Sequence, residues 1–265
     1  MARLGGGKTG VTWYRGTGPR AILSHCSLAH SGAWKPLMAR MPEVDGTALD
    51  LPGHGMSAYN PDSELQRQGA DAVLEALDDG PAHLIGHSFG ARVVLRAALD
   101  RPHSVLSLTL IEPMMFHLLE DAGDPLYAEE MVASTSWAQP LEAGDLDAAG
   151  DVFTRLWGDG SPWDAVPERQ RVYARERMPL VLAAGPDVMG HPPGQITLAE
   201  IAALPCPITL VSGAETRPAA RAICELIAGA TGGAHHTIAG AGHMAPITHP
   251  EDVARVLRPG LLQDA

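Results

Sequence analysis

The sequence predicts an α/β protein built on a doubly wound, mostly parallel sheet flanked by helices, with a helical insertion. Short β-like runs alternate with helical ones over residues 1–113 and again over 196–265, the pattern of βαβ units. Between them, 114–195 has no convincing strand but carries Trp137, Trp157, Trp163 and several helical stretches. A chain of 265 residues that is 45% hydrophobic suits one core with an insertion better than two equal domains. The reading is therefore a first core part (1–113), a helical cap (114–195) and a second core part (196–265).

Element by element, "VTWY" and "AILSHCS" read as strands joined by the turn "RGTGPR", and "GTALDLPGHG" as a strand entering a Gly/Pro loop. "DSELQRQGADAVLEAL" spaces Leu65, Ala72, Val73, Ala76 and Leu77 as one helix face. "AHLIGHS" is a buried strand, "GARVVLRAALD" a helix stopped by Pro102, and "SVLSLTLIEP" the next strand. The insertion offers the helices "DLDAAGDVFTRLW" and "PERQRVYARERM". Then follow the strand "PCPITLVSGA", the helix "RPAARAICELIAGA", the short strand "AHHTIAGAG" and the helix "HPEDVARVLRPGLL". In such a sheet the loops at the carboxyl ends of the strands gather the site residues.

Composition narrows the partners. A formal charge of −12 repels nucleic acid and anionic membranes at long range. Cys26, Cys206 and Cys224 are odd in number and lack C-x-x-C spacing, which argues against a disulfide framework or structural zinc. "MARLGGGKTG" has no apolar segment long enough for a signal peptide, and its glycines lack P-loop spacing. No apolar run approaches the roughly 18 residues a bilayer span needs. A cytoplasmic protein with a partly apolar small-molecule substrate is expected, its oligomeric state left open.

The chemistry concentrates in "LIGHSFGARVV". Ser88 lies between Gly86 and Gly90, after a predicted strand and before a predicted helix. A strand turning abruptly into a helix strains the turn residue, and small flanking residues let the backbone close. The serine then projects into the cleft as a nucleophile. Its base is expected in "IAGAGHMAPITHP", where His243 follows the last strand. The other histidines have structural readings. His87 packs beneath the elbow, and His25 and His54 sit in loops at the cleft mouth. His249 starts a helix, and His235 and His236 face opposite ways on a strand. No metal-ligand cluster is apparent.

"LSHCSLAHSGAW", "LDLPGHGMS", "LIGHSFGARVV", "LIEP", "LVSGAETRP" and "GAGHMAPITHPEDV" resemble, in order, the landmarks of the α/β-hydrolase fold superfamily. The resemblance covers most of the chain outside the insertion, which matches the family's cap. It implies an oxyanion hole from the backbone N–H groups of Ser27 and Phe89, with Cys26 standing where the family has glycine. Cys26 itself reads as a small buried hydrophobe rather than a catalytic thiol. The family's acid sits in a G-x-x-D turn, but "GAET" puts Thr216 at that position. Glu112, which ends the strand in "TLIEP", is the preferred acid, as in some family members; Glu215 is the alternative. The structural reading of Glu112 is a strand-end carboxylate that caps a backbone or pairs with Arg217.

The expected pocket includes Cys26, Met114, Trp137 and Trp157, sized for a modest apolar group. The expected activity is serine hydrolysis of a small carboxylic ester, lactone or thioester through an acyl-enzyme, with no cofactor and no metal. The alternatives are a carbon–carbon bond hydrolase, a lyase or acyltransferase on the same scaffold, and a non-catalytic ligand receptor.

Overall fold

The computed structural model describes residues 2–4 and 7–262, with side chains from Lys8 onward. Seven strands form one sheet: β1 (Val11–Tyr14), β2 (Arg20–Ser24), β3 (Asp45–Leu49), β4 (Ala82–His87), β5 (Val105–Ile111), β6 (Ile208–Gly213) and β7 (Ala234–Ile238). Their order is β1-β3-β2-β4-β5-β6-β7. Only β1 runs antiparallel, pairing with β3 through Val11 opposite Leu49. All other pairs are parallel. The sheet thus has the α/β character the alternation predicts.

The register explains why the central strands are nearly uninterrupted apolar runs. Parallel strands covered on both faces alternate between two cores. Ile22, Leu49, Leu84, Leu108 and Leu210 face one cluster, shared with α1 (Leu65–Ala76), α2 (Phe89–Asp100) and α6 (Pro218–Thr231). Their neighbours Ala21, Leu23, Ala48, Ile85, Ile111 and Val211 face the other, shared with Trp34, Leu37 and Met38 and with α7 (Pro250–Leu262). Both faces of β4 are buried throughout, whereas edge strand β7 is half open.

The sequence strands "VTWY" and "AILSHCS" are both present but are not neighbours. β3 lies between them, so "RGTGPR" spans a neighbouring strand rather than closing a hairpin. Turn residues alone do not reveal that a third strand will insert. Ahead of β1, Ala2–Leu4 and Gly7–Thr9 pair antiparallel; no strand is expected there from the sequence pattern, and part of the "GGG" run lies outside the described residues.

Between β5 and β6 the described residues form helices and turns, chiefly α3 (Leu126–Glu142), α4 (Leu146–Trp157) and α5 (Glu168–Ala183). Asp145 caps α4 by accepting the Ala148 N–H at 2.9 Å. These helices share a small core of Trp137, Leu141, Ala149 and Met178. Met115, Phe116, Leu118 and Leu119 belong instead to the main core, which roots the insertion in the sheet domain. Among the described residues no helix is long and apolar enough to cross a membrane.

The crossing of β2 and α2 leaves no spare volume. A Cβ on Gly90 would sit 2.3 Å from the Ser24 and His25 carbonyl oxygens, both backbone. By contrast, Gly229 in α6 has open space around it. Gly90→Ala is therefore expected to lose about 1–3 kcal/mol or more through overpacking. Gly229→Ala should gain about 0.5–1 kcal/mol from reduced chain entropy. Thermal unfolding of both variants checks the pair; an unchanged Gly90→Ala would contradict the close approach.

Candidate active site

Residue 88 follows β4 and caps α2 with φ 59° and ψ −121°, a conformation a side-chain-bearing residue adopts only under constraint. Its N–H donates to the Ile111 carbonyl at 2.9 Å and its carbonyl accepts from Ala91 at 3.1 Å. The turn is thus locked from both sides. At Gly86 a Cβ would meet the Ala91 Cα at 2.3 Å, so both flanking glycines are required by space. Ser88 faces a cavity of about 90 Å³ at the carboxyl end of the sheet.

That cavity brings together residues scattered along the chain. Ser27, Ser88, Phe89 and His243 line it, as do Cys26, Met114, Trp137 and Trp157. Phe116, Glu130, Phe153 and Met189 also line it; their spacing gave no signal of it, because the insertion's own packing decides which helical face looks inward. Trp163 instead lines an open groove beside Ser27.

His243 sits on the loop after β7. Its Nδ1 lies 2.6 Å from Glu112 Oε2, which leaves the ring's lone pair to Nε2 when the imidazole is neutral. Glu112, fully buried at 0% exposure, immediately follows β5 with φ 44°. Its Oε1 accepts the Gly213 N–H at 2.7 Å, and its Oε2 accepts the Thr216 hydroxyl at 2.7 Å. Burial pushes its pKa up, but His243 and the two further donors outweigh this and hold it below the usual carboxylate value. Thr216 therefore stands at the expected acid position as a donor to the carboxylate that follows β5. Glu215 is exposed, and its carboxylate makes no hydrogen bond to His243. Arg217 pairs with Glu130 rather than with Glu112: Glu112 is turned inward, where its partners are already in place.

His25 and His54 are not at the cleft mouth but buried behind it. A carbonyl only accepts, so their tautomers follow from their partners. His25 Nδ1–H donates to the Cys26 carbonyl at 2.7 Å while Nε2 accepts from Leu51 N–H at 2.9 Å. His54 Nδ1–H donates to Pro52 at 2.9 Å and Nε2 accepts from Leu28 N–H at 3.2 Å. The sequence placed them in loops correctly; the two loops press against each other. Because a trans peptide directs its C=O and N–H oppositely, holding the Cys26 carbonyl on His25 turns the Ser27 N–H to the other side. Phe89 N–H, first in α2, is one of the donors a helix cannot satisfy internally.

Electrostatics separates the histidines. Burial first, then neighbouring imidazoles, lowers His25 to about 3. His87, whose Nε2–H donates to the His243 carbonyl at 2.9 Å, is likewise lowered to about 3 by burial first and then by His243. Burial is also the main cause that lowers His54 to about 4. Such weakly basic rings are poor proton acceptors near neutrality. Burial pushes the Cys26 thiol up to about 12, so thiolate chemistry there is disfavoured. Among the described residues no group of three His, Cys, Asp or Glu side chains is arranged to hold a metal ion.

Residues 21–256 match the model of the alpha/beta hydrolase family. The chain is 32% identical over 259 residues to a pimeloyl-[acyl-carrier protein] methyl ester esterase of Methylococcus capsulatus, covering 91% of this chain and 94% of that one. It is 31% identical over 155 residues to lipase LipV of Mycobacterium tuberculosis, 57% of each chain. Among solved structures, carboxylesterase CesB of Bacillus subtilis superposes with a TM-score of 0.69 at 22% identity, covering 100% of this chain and 90% of that one. A family match spanning nearly the whole chain, with a relative aligned almost end to end, means that this chain belongs to the alpha/beta hydrolase family and is an enzyme of the hydrolase type.

Proposed function

We propose that the chain is a serine esterase that cleaves small carboxylic esters through an acyl-enzyme, with lactones and thioesters open to the same chemistry. Ester hydrolysis in general is supported by its esterase-named relatives. The observation that carries the mechanism is the 2.6 Å hydrogen bond from Glu112 to His243, which lines the same cavity as the strained Ser88.

In this reading His243 Nε2 takes the proton as Ser88 Oγ attacks the ester carbonyl. Glu112 holds the ring in the Nδ1–H tautomer and stabilises the imidazolium that forms. The N–H groups of Ser27 and Phe89 hold the oxyanion, each donor contributing about 3 kcal/mol. His243 then returns the proton to the departing alcohol. Water, deprotonated by the same ring, hydrolyses the acyl-enzyme.

Shape assigns the two halves of the substrate. The acyl group stays on Ser88 after the alcohol has gone, so the apolar cavity that Ser88 lines suits it. The groove of about 300 Å³ lined by Ser27, Phe153 and Trp157 is open and suits the leaving alcohol. An apolar cavity of about 150 Å³ holds benzene; one of about 90 Å³ favours shorter acyl groups, with the helical segment over the sheet acting as their cap.

A fluorophosphonate probe is expected to label the wild type and not Ser88→Ala. In a p-nitrophenyl ester series, turnover should peak at acyl groups of about two to four carbons and fall for long chains; a maximum at long chains would sink the acyl-cavity assignment. Glu112→Gln should lower turnover by on the order of 10⁴, whereas Glu215→Gln should be close to wild type; the reverse ranking would move the acid to Glu215. Glu112 also links stability to pH. Its folded pKa is depressed, so its ionised form stabilises the fold above the ordinary value of 4.5. That contribution disappears as pH falls through the lower folded value. The melting temperature of wild type should therefore drop more steeply than that of Glu112→Gln as pH falls from 4.5 to the lower folded value, measured by calorimetry.

A further inference from the structure

Glu130 on α3 is the anomaly of the cavity. Met114, Phe116, Trp137 and Phe153 surround the same space, yet this carboxylate lies among them at 4% exposure. It is the only carboxylate among the described lining residues. An unpaired charge there would be costly, and Arg217 answers it. Arg217 Nε and Nη2 lie 2.9 and 2.6 Å from the same oxygen, Oε1. The guanidinium also sits 5.4 Å from the Trp157 ring centroid, and Trp157 meets His243 edge-on at 5.0 Å. Glu130 lines the cavity, while Arg217 lines the adjoining groove with Thr216 and His243, so the pair stands in the wall between the two, beside His243.

A carboxylate buried in an apolar wall and held by a partly exposed arginine is weak evidence of stabilisation, because apolar residues of similar volume often replace such pairs without loss. Its place in the cavity wall accounts for it better. We infer that Glu130 is a specificity-determining residue: its carboxylate occupies the cation that an anionic acyl group would otherwise reach, and it restricts the enzyme to uncharged acyl groups. The inference rests on the esterase reading above. An acyl chain ending in a carboxylate meets Glu130's own charge, an arginine already satisfied, and apolar walls, so nothing offsets its desolvation. With Glu130 shortened to a neutral residue, the guanidinium is left facing the vacated volume. Its planar fork then suits a carboxylate arriving on the substrate.

The test compares kcat/KM for methyl butyrate and methyl valerate with monomethyl succinate, glutarate and adipate. Wild type is expected to favour the neutral esters by about 100-fold, and Glu130→Ala and Glu130→Ser to narrow that preference by about tenfold or more, mainly through KM. Glu130→Gln keeps the side-chain volume and should shift the preference the same way by removing like-charge repulsion. Adding Arg217→Gln to Glu130→Ala should abolish the gain. Free glutarate should inhibit methyl butyrate hydrolysis by Glu130→Ala and not by wild type. If these variants fold and cleave methyl butyrate with the wild-type preference intact, or if wild type takes both ester classes equally, the inference is overturned. Absence of all ester turnover in wild type would instead overturn the esterase reading, and the inference with it.

Discussion

A single buried carboxylate joins three separate stretches of this chain. Glu112 leaves β5, accepts from the backbone of β6 at Gly213, from the Thr216 hydroxyl in the turn beyond it, and meets His243 on the loop after β7. An ionised carboxylate without partners would not remain in that interior. Each donor is therefore a condition on the others: β6 must lie beside β5 in its observed register, the Thr216 turn must fold inward, and the last loop must return over the sheet. The geometry that satisfies the charge also sets one ring nitrogen of His243, and with it the tautomer.

Backbone strain gathers at the same place. Among the described residues the side-chain-bearing positions with positive φ are Leu28, Ser88 and Glu112, which lie beside Ser27, at the turn into α2 and at the end of β5. Such conformations cost on the order of 1–3 kcal/mol each and persist where the surroundings over-determine them. Here the surroundings are specific. His54 accepts the Leu28 N–H, the Ile111 carbonyl accepts from Ser88, and the Val211 carbonyl accepts from Glu112. The rigid sheet with both faces buried holds these bends, while the helical segment supplies many of the apolar walls and Glu130, the only carboxylate among the described lining residues.

The alternation of apolar runs and helical spacing was enough to read the sheet and its flanking helices, because period-2 and period-3.6 patterns are local properties. Ser88 was legible for a similar reason: two glycines, a preceding strand and a following helix are all contiguous. Thr216 was legible only as a departure from the expected acid. That its hydroxyl would serve Glu112 from 104 positions away has no local signature. Neither does the strand that separates β1 from β2, nor the burial of His25 and His54, which arises from two loops meeting. The Glu130–Arg217 pair is similarly invisible, since α3 has no clear amphipathic stripe from which an inward carboxylate would stand out.

The sequence by itself determined the fold class, the elbow around Ser88 and the short set of candidate residues, because each follows from spacing along one segment. Tertiary structure decided which of Glu112 and Glu215 meets His243, since two carboxylates of equal chemistry differ only in where their strand ends aim them. One is buried among three donors, and the other is left in solvent. It also decided what shares the cavity, because that depends on how the insertion packs across the sheet and not on any pattern within it.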